Sequence, residues 1–295
     1  MIPFLSDSTL AHLRQLVETP DLTGTPYEME REIGRGGMGV VYLAHDRRLQ
    51  RAVALKIVEA LDPLREARTL ATLEHPGIVP IHDAGELADG RAYYAMRYVQ
   101  GSRLDAYRDA HPPLRERLST FLKIADAVAY AHSRGVTHRD LKPANIMTGC
   151  FGEVFLLDWG LARAPITPLE APGTVLGTPH FMAPELAHGG AAQADHRVDL
   201  YSLGKILEWL LPDDAPPPLR AIARHAAADA PNERYAEVTD LQADLNRWLD
   251  GYPVSAYRES PWERLVRFTG RHRPLVYLLL VYVLIRFFLF FSSLR

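Results

Sequence analysis

Two regimes of patterning divide the chain. From Tyr27 the apolar positions alternate with polar ones: Tyr27-Glu28-Met29-Glu30-Arg31-Glu32-Ile33 leads into a glycine cluster. Val40-Val41-Tyr42-Leu43-Ala44 and Val53-Ala54-Leu55-Lys56-Ile57-Val58 follow. These runs predict strands, because a period of two sends successive side chains to opposite faces. Residues 78–81 and 91–99 predict two more. Asp62-Pro63 predicts a helix opening, an N-cap with proline at the first helical position, and that helix should end near His75-Pro76-Gly77. After Gly101 the period becomes helical. Residues 114–134 are amphipathic, with Leu118, Leu122, Ala125, Val128 and Ala129 facing inward and Gly135 as the stop. Residues 198–211, 217–228 and 238–249 predict further helices. Ahead of all this, Leu10, Leu13, Leu16 and Val17 mark a short helix, and a Pro/Gly-rich linker follows it. A β-rich first third and a helical remainder imply an α+β protein of two lobes with a cleft between them.

Composition narrows the picture. The 295 residues are 47% apolar, enough for a large core, and the formal charge of −3 argues against a nucleic-acid partner, which needs a basic footprint. Cys150 is the only cysteine, which excludes an intramolecular disulfide and a cysteine-rich zinc site. Between Gly149 and Gly152 it reads as a structural turn residue. No secretion signal is expected at the N-terminus.

The other end differs: residues 275–291 are all apolar or aromatic except Arg286. As a helix at ~1.5 Å per residue they would cover roughly 26 Å, a little short of a ~30 Å hydrocarbon core. Arg264, Arg267, Arg271 and Arg273 precede the run and only Arg295 follows it. That bias places the preceding domain on the cytoplasmic side of a membrane. Ser260-Pro261-Trp262-Glu263 resembles a capping box, opening a helix along the headgroups with Trp262 as its interfacial anchor. An interfacial or re-entrant helix, or burial against the rest of the protein, are the alternatives to a full span. No domain is expected after it in this chain, and so no external sensor.

Three groups of residues carry chemistry. Gly34-Arg35-Gly36-Gly37-Met38-Gly39-Val40-Val41 fits G-x-G-x-x-G-x-V, in which backbone N–H groups can approach phosphate oxygens unobstructed. A hairpin turn or a dinucleotide fold would use the same glycines, but the dinucleotide reading requires a helix next, and a strand pattern follows. Lys56 sits inside an apolar strand, where its charge is costly unless paired. Phosphate on one side and a carboxylate on the other would settle it. Glu66 is the favoured carboxylate over Glu59 and Glu74, and a lysine snorkelling from an edge strand is the alternative. The third group is His138-Arg139-Asp140-Leu141-Lys142-Pro143-Ala144-Asn145, followed by Asp158-Trp159-Gly160 and Ala183-Pro184-Glu185.

With these elements in this order, the chain resembles the bacterial branch of the eukaryotic-like (Hanks-type) serine/threonine protein kinases. The resemblance covers about residues 27–249. It implies a bilobal protein-kinase fold, with an N-lobe over 27–99 and a C-lobe over 100–250. A linker over 1–26, a basic juxtamembrane segment over 251–273 and a transmembrane helix over 274–293 complete the expected organisation. Implied cofactors are ATP and Mg²⁺. Asp140 is implied to align the substrate hydroxyl and accept its proton, Lys142 to neutralise the transferring phosphate, and Lys56, oriented by Glu66, to hold the α- and β-phosphates. Asn145 and Asp158 are implied Mg²⁺ ligands. Gly34, Gly36, Gly37, Gly39, Val41, Ala54, Met96, Arg97 and Val99 are implied to contact the nucleotide, with Met96 guarding the adenine pocket and the backbone of residues 97–99 bonding adenine. His138 is read as a packing residue.

Regulation follows the same resemblance. Arg139 puts a charge where an activation-loop phosphate would settle it, with Thr174 the first candidate phosphosite and Thr167 the second. Thr178 is implied to bond Asp140 and Lys142, Glu185 to pair with Arg234, and Asp199 to brace the backbone of the 138–145 loop. Implied partners are protein substrates, membrane lipid and a second copy for autophosphorylation in trans.

Three departures stand out. Lys56 and Glu66 are only ten residues apart, which puts the mode of their pairing in question. Trp159 replaces the commoner phenylalanine. Between Leu211 and Pro217 the chain has only Pro212-Asp213-Asp214-Ala215-Pro216, where the family has a helix and loop that dock substrates. These departures sustain two other readings: a membrane-anchored pseudokinase that works as a scaffold, and an ATP-dependent enzyme acting on a non-protein hydroxyl.

Overall fold

The computed structural model describes residues 20–36, 39–58, 64–162, 180–189, 194–271, 277, 278 and 280–286. Its first lobe is a five-stranded antiparallel sheet in the order β1-β2-β3-β5-β4. The strands are β1 (Tyr27–Gly36), β2 (Gly39–Asp46), β3 (Arg51–Val58), β4 (Ile81–Glu86) and β5 (Ala92–Arg97). β3 is the central strand, and every residue from Val53 to Val58 is buried, so it reads as a continuous apolar run interrupted by Lys56. Register sets Lys56 beside Val41 of β2 and Tyr94 of β5.

Two expected boundaries move. The strand expected over 78–81 is β4 instead; Ile78 makes only an isolated parallel bridge to Leu156. β4 is an edge strand with no buried residue, and its sequence IHDAGE has no strand signature; pairing with β5 holds it. The helix expected to open at Asp62-Pro63 has Leu64 at its N-cap and runs as α1 (Arg65–Ala71). Asp62 and Pro63 lie outside the described residues. Glu66, Ala67 and Leu70 turn α1 inward, and Glu66 falls in its first turn.

The second lobe is helical. After a short strand, β6 (Gly101–Arg103), come α2 (Leu104–Asp109) and α3 (Leu114–Ser133), then the strands β7 (Ile146–Gly149) and β8 (Val154–Leu156). α4 (Pro184–Ala187), α5 (Arg197–Leu210), α6 (Pro217–Ala226) and α7 (Val238–Leu249) follow. α3 buries Leu118, Phe121, Ala125 and Val128, while Leu122 and Ala129 are half-buried flanks of the same stripe. Gly204 lets α5 meet α6 closely: a Cβ there would lie 2.6 Å from the Ala227 nitrogen and 2.8 Å from the Ala223 oxygen. Residues 211–216 join α5 directly to α6, with Arg117 Nη1 donating to the Leu210 oxygen at 3.0 Å and Arg220 to the Asp213 oxygen.

The strands β6-β7-β8 form a small sheet. One apolar cluster runs from Val58, Leu70 and Tyr94 of the first lobe into α3, α5 and α6, and so fixes the walls of the cleft between the lobes.

Beyond α7, Asp244 receives Ser255 N and Oγ, Ala256 N and the Tyr235 hydroxyl at 2.7–3.0 Å, which ties the following segment down. α8 (Pro261–Arg271) opens with the predicted reciprocal cap: Ser260 N donates to Glu263 Oε2 at 2.7 Å and Glu263 N to Ser260 Oγ at 3.3 Å. Among the described residues no helix is long and apolar enough to cross a membrane. The 274–293 span falls largely outside them, as does the short helix expected before Thr25.

Candidate active site

Lys56 reaches the floor of the first lobe from β3. Its Nζ lies 2.6 Å from Glu66 Oε2 and 3.3 Å from Asp158 Oδ1, and 5.7 Å from the centre of the Tyr94 ring. Burial alone would lower the lysine pKa; the Glu66 and Asp158 carboxylates outweigh it, Glu66 foremost, and hold the pKa above its ordinary value. Lys56 is therefore charged at neutral pH. Glu66 divides its oxygens, because Oε1 accepts the Trp159 backbone N–H at 3.0 Å. The ten-residue connection thus suffices to close the pair, and the same carboxylate fixes the backbone beside Asp158. Tyr94 carries no signal in the sequence that sets it apart from the other apolar positions of β5. Burial, and then the adjacent Glu66 charge, push its phenol well above the ordinary range, so it faces this corner as a neutral hydroxyl.

Asp158 sits at φ 57 with its side chain 44% exposed, open to the cleft. A left-handed backbone at aspartate is tolerated at modest cost, and here it turns the carboxylate toward Lys56. Trp159 is buried against the His138 ring at 4.5 Å. His138 accepts from the Asp140 N–H at Nδ1 (3.3 Å), so Nε2 carries the hydrogen and donates to the Leu157 oxygen at 3.1 Å.

Across the cleft, Asp140 Oδ2 receives Lys142 Nζ at 2.7 Å and Asn145 Nδ2 at 3.1 Å. Asn145 Nδ2 also donates to the Asp140 carbonyl at 2.9 Å, so its side-chain oxygen is the atom left for a cation. The loop that carries these residues is strained at Arg139 (φ 69) and braced by Asp199. Asp199 Oδ1 takes the Arg139 N–H, and Oδ2 takes the His138 N–H and His132 Nε2, all at 2.8 Å. Burial raises the Asp199 pKa, but these donors, His132 first, more than reverse it and leave it below the ordinary value of 3.8. His132 escaped sequence reading, although its spacing from Ala125 and Val128 puts it on the inward face of α3.

The cleft that joins both halves has a volume of about 860 Å³. Its walls include Gly34, Gly36, Gly39, Val41, Ala54, Met96, Arg97 and Val99, together with Lys56, Glu66, Asp140, Lys142, Asn145 and Asp158. The glycines differ. Gly39 (φ 133) is required by the fold, since a Cβ would meet the Ile57 oxygen at 2.0 Å. A Cβ on Gly36 would meet nothing within 4 Å, so the fold places no packing demand on it. Gly37, Thr167, Thr174 and Thr178 lie outside the described residues. Glu185 and Arg234 meet away from the cleft in a bidentate pair at 2.7 and 2.8 Å.

A hard cation could be held here by Asp158 and the Asn145 oxygen. Among the described residues no group of three His, Cys, Asp or Glu forms a closed cage. Two protein oxygens completed by phosphate and water is the arrangement that suits Mg²⁺. The donor set therefore fits a metal that arrives with a polyphosphate.

A two-lobed fold with a glycine-edged cleft and these charged groups on opposing walls defines a class. Residues 27–248 match the protein kinase domain family, and the chain belongs to that family. It is 37% identical over 295 aligned residues to the serine/threonine-protein kinase PknD of Chlamydia caviae, covering 77% of this chain and 31% of that protein. The serine/threonine-protein kinases PknD of Chlamydia trachomatis serovar D and Chlamydia muridarum are 36% and 35% identical, over 77% and 80% of this chain. The chain spans about a third of the length of these relatives.

Proposed function

We propose that the chain is an ATP-dependent serine/threonine protein kinase that transfers the γ-phosphoryl group of MgATP to serine or threonine hydroxyls. The observation that carries this reading is the convergence of two charged groups on one cleft: Lys56–Glu66–Asp158 on one wall and Asp140–Lys142–Asn145 on the other. Lys56, fixed by Glu66, holds the α- and β-phosphates. Mg²⁺, when bound at Asp158 and Asn145, supplies neutralisation of phosphate charge. Asp140 receives the hydroxyl of the acceptor and takes its proton, and Lys142, already 2.7 Å from Asp140, meets the charge that builds on the transferring group. Adenine enters past Met96 and bonds the backbone of residues 97–99.

The same reading extends to regulation and place. Autophosphorylation in trans, at Thr174 first and Thr167 second, activates the enzyme. Residues 274–293 anchor it, with the catalytic domain on the cytoplasmic side. The arginine bias before that run supports this, as do the solvent-facing apolar side chains of Leu278, Leu280, Val281, Val283, Leu284 and Ile285.

The test is to incubate the full chain in detergent with labelled ATP and Mg²⁺ beside an Asp140→Asn protein, and to map modified residues by mass spectrometry. Label on Thr174 or Thr167 in the wild type, reduced roughly 10²–10⁴-fold in the variant, is the expected result. Nucleotide binding without label in either protein would replace this reading with that of a scaffold.

A further inference from the structure

Among the described residues, the charges lining the cleft do not balance. Arg31, Arg35, Lys56, Arg97, Arg103 and Lys142 face Glu66, Asp140 and Asp158. Lys56 is taken by Glu66 and Asp158, Lys142 by Asp140, and Arg35 by Glu32 at 2.8 Å. Arg97 lies over the Phe155 ring at 4.9 Å. Arg31 and Arg103 are both exposed and, among the described residues, neither has a carboxylate partner. They are contributed by opposite lobes, Arg31 by β1 and Arg103 by the end of β6.

Arg103 is placed by construction. β6 pairs antiparallel with β7, and its register sets Arg103 opposite Met147, two residues past Asn145. The guanidinium then reaches back to the 138–145 loop, where Nη1 donates to the Ala144 oxygen at 3.2 Å. Ala144 directly precedes Asn145, and its methyl side chain carries no charge to set against the arginine. Among the described residues, a guanidinium without a carboxylate partner thus lies beside the floor of the cleft that carries Asp140. Any peptide whose hydroxyl reaches Asp140 must lay its neighbouring residues across this floor.

We propose that Arg103, assisted by Arg31, is a specificity-determining residue that selects acceptor segments carrying carboxylates or phosphorylated side chains within a few residues of the accepting hydroxyl. This rests on the kinase reading above and names its substrate class. Long-range attraction of an acidic segment to a cationic rim, and rejection of a basic one by like charge, both act in the same direction.

Synthetic peptides with one serine and fixed flanking Asp, phosphoserine, Ala or Arg test it, using the full chain in detergent. The wild type is expected to favour acidic flanks by roughly tenfold in kcat/KM, with the preference shrinking at high salt. Arg103→Glu is expected to reverse the preference with KM for ATP unmoved, and Arg103→Lys to retain it. An unchanged preference in Arg103→Glu overturns the proposal, and so does a raised KM for ATP with unchanged preference, which would assign the arginine to the nucleotide. Should the wild type phosphorylate no peptide, the kinase reading fails separately, and anisotropy of a labelled acidic peptide still decides. Salt-sensitive binding that is weakened by Arg103→Glu supports the cationic rim. Equal binding by both proteins overturns it.

Discussion

Two buried ion pairs in this molecule look alike at first and differ in one respect. Arg234 has a side chain with no exposed surface, and all five of its N–H groups are used: two on Glu185, the others on the carbonyls of Ala228, Arg197 and Asp229. Its guanidinium also stacks over Tyr201 at 5.1 Å. Lys56 is buried to a similar degree, but its second carboxylate, Asp158, is 44% exposed and stands at 3.3 Å, and the lysine lines an open cleft. The first pair is complete and has nothing left to offer a ligand. The second is unfinished, and its remaining valence points where phosphate would arrive. Buried charge is costly wherever it occurs, so what separates structure from chemistry here is whether the protein alone settles the account.

The largest effects follow from exchanging each cation for methionine. Lys56→Met should reduce phosphoryl transfer roughly 10²–10³-fold, while the melting temperature moves little, because methionine suits the apolar run of β3 and Glu66 keeps the Trp159 N–H. Arg234→Met should do the reverse. It leaves Glu185 and three carbonyls without their donor, costing about 3–5 kcal/mol of stability, while the protein that remains folded keeps its turnover. Thermal unfolding and an initial-rate assay on the same samples read both quantities. If the two variants lost activity and stability in the same proportion, the distinction between a complete and an unfinished pair would be lost.

The glycines repeat the contrast on a smaller scale. Gly39→Ala must fit a Cβ against the Ile57 carbonyl at a left-handed φ, and should destabilise the first lobe by about 1–3 kcal/mol. Gly36→Ala meets no protein atom and should leave stability within about 0.5 kcal/mol of the wild type. Its effect should appear instead as a raised KM for ATP. Chemical denaturation separates them, and equal destabilisation by both would mean that Gly36 also serves the fold.

How much of this the sequence disclosed depends on where each interaction is made. β1, α3, α5, α6 and α7 were legible because each buries one stripe or face and periodicity reports burial, and β2 and β3 because strands buried on both faces read as near-continuous apolar runs. β4 was misplaced because its half-polar sequence becomes a strand only by pairing with β5. α2 and the β6-β7-β8 sheet were not foreseen, since elements of three to six residues are fixed by tertiary contact. The motif residues of the cleft could be named from their order along the chain. Tyr94, His132 and Arg103 could not: their roles come from neighbours distant in sequence, Glu66, Asp199 and Ala144. For His132 a signal was present, a polar residue at helical spacing on an apolar face.

Asp199 extends the contrast to pH, with an effect confined to acid. Like Glu185 it is a completed carboxylate, filled by two backbone N–H groups and His132, with His138 also close. Its folded pKa lies below the unfolded value of 3.8, so the unfolded chain binds its proton first as the pH falls. The stability it contributes is fully present above pH 3.8 and is lost as the pH drops from there through the folded pKa. An asparagine side chain in its place keeps one acceptor oxygen but no charge, so Asp199→Asn should be less stable than the wild type at neutral pH. The gap between the two should close on acidification below about pH 4. Denaturant unfolding of both proteins from pH 7 to pH 3 measures that gap. A gap that stayed constant across the range would show that Asp199 acts through its shape and hydrogen bonds alone, with its charge contributing nothing to the loop it braces.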